Sequence, residues 1–181
     1  MNEIQYYLNE IERLFYNSSI VKPCKLTYNL IYDDEIEVEK QFSAKKLDDL
    51  TLEDLEIWET YTFPLIWMNE KAIAYYLPHY FKLVLKNKEN LFLIETVIER
   101  LKDILNKNGF SYTEKYMIYN EFNRDQREFI INFLQFISSD NFLDKFLEDE
   151  QSDWCLRYTI ARIRKSAKKT IKIWEKMENN K

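Results

Sequence analysis

The chain has 181 residues, 46% of them apolar, 16% aromatic and 31% charged, with a formal net charge of −5. That is too rich in apolar side chains for a disordered chain and suits one compact domain. A single glycine (Gly109), a single histidine (His79) and two cysteines without CxxC spacing (Cys24, Cys155) exclude glycine-rich phosphate loops and the usual metal or nucleophile clusters.

Residues 2–16 carry Ile4, Tyr7, Leu8, Ile11, Leu14 and Phe15 at spacings of three and four, which predicts an amphipathic helix. Ser18, Ser19 and Pro23 interrupt the pattern. Residues 24–42 admit two readings. Glu35, Glu37 and Glu39 alternate with Ile36 and Val38, which allows a small hairpin near 25–42, but a short helix capped by Asp34 and running toward Phe42 is preferred. Thr51, with Asp54 three residues on and Leu50 opposite Leu55, opens a helix toward Tyr61, and Pro64 closes that region. Pro78 follows Ala72–Leu77 and is expected to end one helix and start the next, with a bend at Leu77–Pro78.

From 90 to 107 a stripe of Ile94, Val97, Ile98, Leu101, Ile104 and Leu105 predicts another helix. Gly109 then stands where a left-handed C-cap belongs, with Phe110 folding back onto Leu105. Asn123 and Gln126 have the spacing of a capping box for a helix bearing Phe129, Ile130, Phe133, Leu134 and Ile137, and 142–147 supplies a short one. The last helix, 153–178, is about 39 Å long at 1.5 Å per residue, with Leu156, Ile160, Ile163, Ala167, Ile171 and Trp174 along one side.

The expected fold is therefore mainly α, a single domain over 1–181 of roughly six to eight helices. No apolar stretch approaches the roughly 20 residues that cross a bilayer, and the N-terminus has no basic lead. A cytoplasmic protein without a membrane partner is expected, its cysteines buried as small apolar fillers and not joined in a disulfide.

The run Trp67-Met68-Asn69-Glu70-Lys71-Ala72-Ile73-Ala74-Tyr75-Tyr76-Leu77-Pro78-His79-Tyr80-Phe81 resembles the centre of a family of small uncharacterised bacterial proteins, L-x-P-E-A-F-R-Y-Y-L-P-A-Y-L. Phe122 to Leu134, with Gln126 in place, is similar to that family's F-T-x-x-Q-x-x-A-I-x-x-F-L, and Leu47-Asp48-Asp49-Leu50 stands near its W-x-D-L. Asn69 replaces a common proline and Ala74 a common arginine, and Lys46 or Leu47 stands near the expected tryptophan. The resemblance spans about 33–137, judged from helical spacing between the blocks. It implies a shared fold and a bacterial or phage source, and it transfers no activity. Tyr75, Tyr76, Leu77, Pro78 and Gln126 are thus expected to be structural.

Each chemical candidate has a plainer alternative. His79 beside Glu70 or Tyr80 suits acid–base work, but a hydrogen-bonded structural histidine is preferred. Asp33, Asp34, Glu35, Glu37 and Glu39 suit a hard cation, but a solvated acidic face is preferred. Trp67, Tyr75, Tyr76, Tyr80 and Phe81 suit a pocket floor, and core packing around the proline is preferred.

Charge is unevenly placed. Residues 155–181 hold nine Lys and Arg against two Asp and Glu, a net of +7, whereas 1–154 hold 17 against 29, a net of −12. Arg157, Arg162, Lys165, Lys168, Lys169, Lys172 and Lys176 lie opposite the apolar stripe, with Trp154 and Tyr158 among them. Such a face suits phosphates and stacked bases, although the acidic remainder repels a polyanion. An acidic body suits a basic protein partner, and a solvated face is the third reading.

The resulting expectation is a non-enzymatic protein-binding module with no catalytic residue, cofactor or metal, of the immunity or regulatory kind found in bacterial conflict systems. Its surface residues would be Trp154, Tyr158, Arg162, Lys165, Lys168, Lys169 and Lys172. Nucleic-acid binding through the basic helix is the alternative, and an enzyme using His79, Glu70 and Tyr76 is third. The opposite charges of the two ends also predict self-association.

Overall fold

The computed structural model describes residues 2–16, 21–28, 30, 32–56, 64–103, 119–143 and 154–179. Eight α-helices have their bounds there: α1 Glu3–Ile11, α2 Asp33–Ser43, α3 Glu53–Glu56, α4 Glu70–Lys86, α5 Leu91–Asp103, α6 Arg124–Ile137, α7 Asp140–Leu143 and α8 Trp154–Asn179. Residues 119–121 are helical too. The mainly α class expected from composition and periodicity is the class the chain adopts, and no strand occurs among the described residues.

The axis of the fold is α4. Ala72–Ala74 and Tyr76–Leu85 are all buried, because α1, α5 and the 3-10 turns Leu47–Asp49 and Pro64–Ile66 pack around this helix. Its N-cap explains the asparagine where the resembling family has proline: Asn69 Oδ1 accepts from the Ala72 amide at 3.0 Å, and its Nδ2 donates to the Lys25 carbonyl at 2.8 Å. That side chain thus starts the helix and ties down the preceding segment. A second layer forms where α8 lies across α5 and α6 and buries Ile160, Ile163, Ala167, Ile171 and Trp174.

Three expectations need correction. Pro78 does not divide two helices but sits inside α4, so His79 is in mid-helix and not in a first turn. The missing N–H and ring clash cost about 3 kcal/mol or more, and burial on every side of α4 offsets that cost. Asp34 does not cap α2. The cap is Tyr32, whose amide donates to Glu35 Oε2 at 3.4 Å, and Asp33, Asp34 and Glu35 instead line the first turn, where carboxylates suit the helix dipole. Cys24 and Cys155 are exposed thiols in no disulfide, because neither falls on an inward face.

Residues 33–43 form the helix rather than a hairpin arm, and residue 27 makes one isolated antiparallel bridge to Met68. The predicted helix over 2–16 is present, but its last turn, Glu12–Tyr16, is π-helical. Thr51 and Asp54 form the expected reciprocal cap, the Thr51 amide donating to Asp54 Oδ2 at 2.9 Å and the Asp54 amide to Thr51 Oγ1 at 3.4 Å. The Leu50–Leu55 staple, the extension to Tyr61, the cap at Gly109 with Phe110, the stretch past Asp103, and 144–147 lie outside the described residues.

In a chain with one glycine, side chains seal the helix C-termini that glycine would otherwise close. Lys22 Nζ donates to the carbonyls of Phe42 at 2.7 Å, Ser43 at 2.7 Å and Lys45 at 2.6 Å, closing α2. Asn87 Nδ2 donates to the Leu83 carbonyl at 2.9 Å at the end of α4, and Ser139 Oγ to that of Phe136 at 2.7 Å after α6.

Buried and half-buried phenols give a pH prediction. Burial, helped by Tyr6 and Glu3, pushes Tyr7 up to about 12, and burial with a hydrogen bond to Glu178 pushes Tyr119 up to about 12. Burial raises Tyr76 and Tyr80 further. Above the unfolded value of about 10 the unfolded chain releases protons that the folded chain keeps, so stability is complete below that pH and falls as pH climbs toward 12. A stopped-flow jump to that range should show tyrosinate absorbance from these groups appearing at the rate of unfolding. Prompt ionisation with helicity intact would contradict it.

Candidate docking face and cavity

The face of α8 that points away from α5 and α6 is built by a repeat of alternating steps of four and three. Trp154, Tyr158, Ala161, Lys165, Lys168 and Lys172 follow one line up the helix, and Lys169 flanks it. At 1.5 Å per residue the line is about 27 Å long. Its N-terminal end is aromatic: Trp154 is 72% and Tyr158 61% exposed, their ring centroids 6.4 Å apart at 58°. Further along, Ala161, Arg164, Lys165, Lys168, Lys169 and Lys172 line an open depression of about 600 Å³, with the short Ala161 side chain leaving room between longer ones.

Six cations of α8 fall into two groups. Arg162 makes a two-pronged pair with Glu95, Nη2 to Oε2 at 2.6 Å and Nε to Oε1 at 2.6 Å, and Arg164 meets Asp140 at 2.9 Å. Lys165, Lys168, Lys169 and Lys172 make no ion pair among the described residues. Arg162, expected on the docking surface, is therefore tied to α5, and four adjacent ammonium groups keep their charge for solvent or a partner.

Polar contacts at the other end hold α8 in place. Glu178 Oε1 accepts from Arg127 Nε at 2.5 Å and from the Tyr119 hydroxyl, while Arg127 Nη1 donates to the Phe122 carbonyl at 2.7 Å and the guanidinium lies over the Tyr119 ring at 4.5 Å. Sequence reasoning missed Arg127. An arginine on the inward side of α6 was the available signal.

The motif residues divide between core and cavity. Tyr76 is buried, its hydroxyl donating to the Phe42 carbonyl at 2.9 Å, and Tyr80, Phe81 and Leu77 are core. Tyr75 and Pro78, by contrast, border a cavity of about 520 Å³ between the π-helical turn, the Leu47–Asp49 turn and α4. Gln126 is structural, as expected. The Gln126 amide donates to Asn123 Oδ1 at 3.0 Å and its Oε1 accepts from the Asn123 amide at 2.9 Å. Its Nε2 also donates to the Leu14 carbonyl at 2.8 Å, inside the π-helical turn.

His79, one position after Pro78, is buried. Its Nε2 lies 2.7 Å from the Leu50 carbonyl, which can only accept, so the proton is on Nε2 and Nδ1 faces the Tyr16 hydroxyl at 3.4 Å. Lys82 Nζ sits 3.5 Å over the Tyr16 ring and 2.5 Å from Glu12. His79, Glu70 and Tyr76 engage different groups: the Leu50 carbonyl, the Tyr28 hydroxyl at 2.6 Å, and the Phe42 carbonyl. On α2 the acids are engaged locally: Glu39 Oε2 accepts the Leu26 amide at 2.9 Å, and Glu37 Oε1 accepts from Gln41 at 3.0 Å. No group of three or more His, Cys, Asp or Glu suited to a metal ion occurs among the described residues.

No helix among the described residues is long and apolar enough to cross a membrane. Comparison with known proteins finds no match among curated proteins and none among solved structures. One family model, that of a family of unknown function (DUF6714), matches residues 28–171.

Proposed function

Since the chain belongs to this family of unknown function, we propose from its own surface that it is a non-enzymatic, cytoplasmic binding module that docks a protein partner on the outward face of α8. The observation carrying this reading is the row of Lys165, Lys168, Lys169 and Lys172 left without carboxylates among the described residues, on a chain whose net charge is −5. A partner presenting clustered carboxylates matches that row, and Trp154 and Tyr158 supply the large exposed rings that anchor interfaces. A regulatory or immunity role in a bacterial conflict system is the setting we favour for such a module. The acidic surface of a second copy is one available partner, which low-salt sedimentation would reveal as self-association.

Nucleic acid is the second reading, favoured by the neighbouring rings of Trp154 and Tyr158 at one end of a cationic line. The two readings separate in one experiment. The K165E/K168E/K169E/K172E variant should keep the wild-type melting temperature, because these side chains are exposed and make no ion pair. Used as bait in the native host at gentle salt, it should lose a protein partner that the wild-type chain retains. Equal recovery by both baits would sink the docking reading. Recovery of oligonucleotide instead, with affinity falling steeply in salt, would favour the second.

A further inference from the structure

We propose that the cavity beside Pro78 binds a small zwitterion of amino-acid type carrying an apolar or aromatic group. The cavity lies apart from the α8 face, and its volume of about 520 Å³ falls in the usual range for small-molecule sites of roughly 300–1,000 Å³. Three features of its lining select the ligand. First, Pro78 has no N–H, so the carbonyl of Ala74, which points along α4 toward Pro78, loses the amide that would close that turn. Both residues border the cavity, and the carbonyl left without its amide is the acceptor proposed for an ammonium donor.

Second, Lys46 and Asp49 stand three residues apart across a 3-10 turn, the Asp49 amide donating to the Lys46 carbonyl at 3.1 Å. Side chains with this spacing project to the same side of such a turn. Yet they make no ion pair with each other, and neither has another charged partner among the described residues. The same turn therefore brings to the cavity lining a cation and an anion that are not paired with each other. Third, two aromatic residues also line the cavity, Phe15 from the π-helical turn and Tyr75 from α4. A carboxylate meets Lys46, an ammonium meets Asp49 and the Ala74 carbonyl, and an apolar side group meets the rings. Rare π-helical turns occur disproportionately at functional sites, and this one forms the cavity's wall.

Calorimetry and thermal shift with L-phenylalanine and L-leucine test the assignment, with phenylacetate, lacking the amine, and phenethylamine, lacking the carboxylate, as probes of each charge. Phenylalanine should bind and raise the melting temperature, and each half-molecule should bind roughly tenfold more weakly, the worth of one charge-assisted hydrogen bond. Lys46→Ala and Asp49→Asn, both at exposed positions, should each cost about the same factor while leaving the melting temperature of the unliganded protein unchanged. Pro78→Ala restores an N–H to the Ala74 carbonyl and should weaken the amine's contribution without weakening that of the carboxylate. No binding of either amino acid, or half-molecules that bind as tightly as the whole, would overturn the proposal. The charge-reversed α8 variant should bind phenylalanine normally.

Discussion

Trp174→Ala should destabilise the fold by about 3–5 kcal/mol, a large part of the roughly 5–15 kcal/mol that holds a domain together. The indole is fully buried at the junction of α8 with α5 and with the segment before α6. Its ring meets Tyr119 at 5.7 Å and Phe122 at 6.3 Å, and Nε1 donates to the Leu101 carbonyl at 3.3 Å. Truncation removes that packing and leaves a void lined by rings that cannot collapse far. Denaturant unfolding should show a lowered midpoint, and limited proteolysis should cut first within α8. A Trp174→Phe variant, which loses only the N–H and part of the ring, should cost nearer 1 kcal/mol. If Trp174→Ala unfolded at the wild-type midpoint, α8 would not be part of the cooperative core.

Gln126→Glu should cost about 2–3 kcal/mol near neutral pH, despite being nearly isosteric. Gln126 uses both ends of its amide: the oxygen caps Asn123 at 2.9 Å and the nitrogen donates to Leu14 at 2.8 Å. A carboxylate keeps the first contact but sets an oxygen against the Leu14 carbonyl in a buried site, leaving that acceptor unsatisfied. Burial raises the pKa of the introduced carboxyl, so the penalty applies above that pKa and shrinks as pH falls and a proton restores the donor. Melting curves at stepped pH should show the gap to wild type narrowing on the acid side. A constant gap would mean that the Leu14 contact is not what Gln126 contributes.

These two residues also show what was legible in the chain. The caps at Thr51 and Asn123 and the stripes of α5, α6 and α8 depend on residues three or four apart, so local spacing revealed them. The third bond of Gln126 was not legible, because it reaches Leu14, 112 positions away. Pro78 misled for a related reason: its local cost is fixed by its ring, but whether a helix continues through it depends on how deeply distant segments bury both flanks. The pairing of Arg162 with Glu95 was likewise hidden, whereas the lysine line with Trp154 and Tyr158 was visible as helical spacing. The cavity joins residues near 15, 46–49 and 74–78: Tyr75 was visible as a pocket residue in the aromatic run, whereas Phe15, Lys46 and Asp49 come from segments whose approach local spacing does not show.

The chain carries its own probes for the docking face. Cys155 is exposed beside Trp154 at the start of α8, and Cys24 is exposed before α2. With a photoactivatable crosslinker on Cys155 in a Cys24→Ser background, and on Cys24 in a Cys155→Ser background, each labelled protein can be irradiated in the presence of the captured partner. Docking on the outward face of α8 requires the covalent adduct from Cys155, and its loss when Lys165, Lys168, Lys169 and Lys172 are reversed to glutamate. An adduct from Cys24 alone, or one from Cys155 that survives the charge reversal, would contradict it.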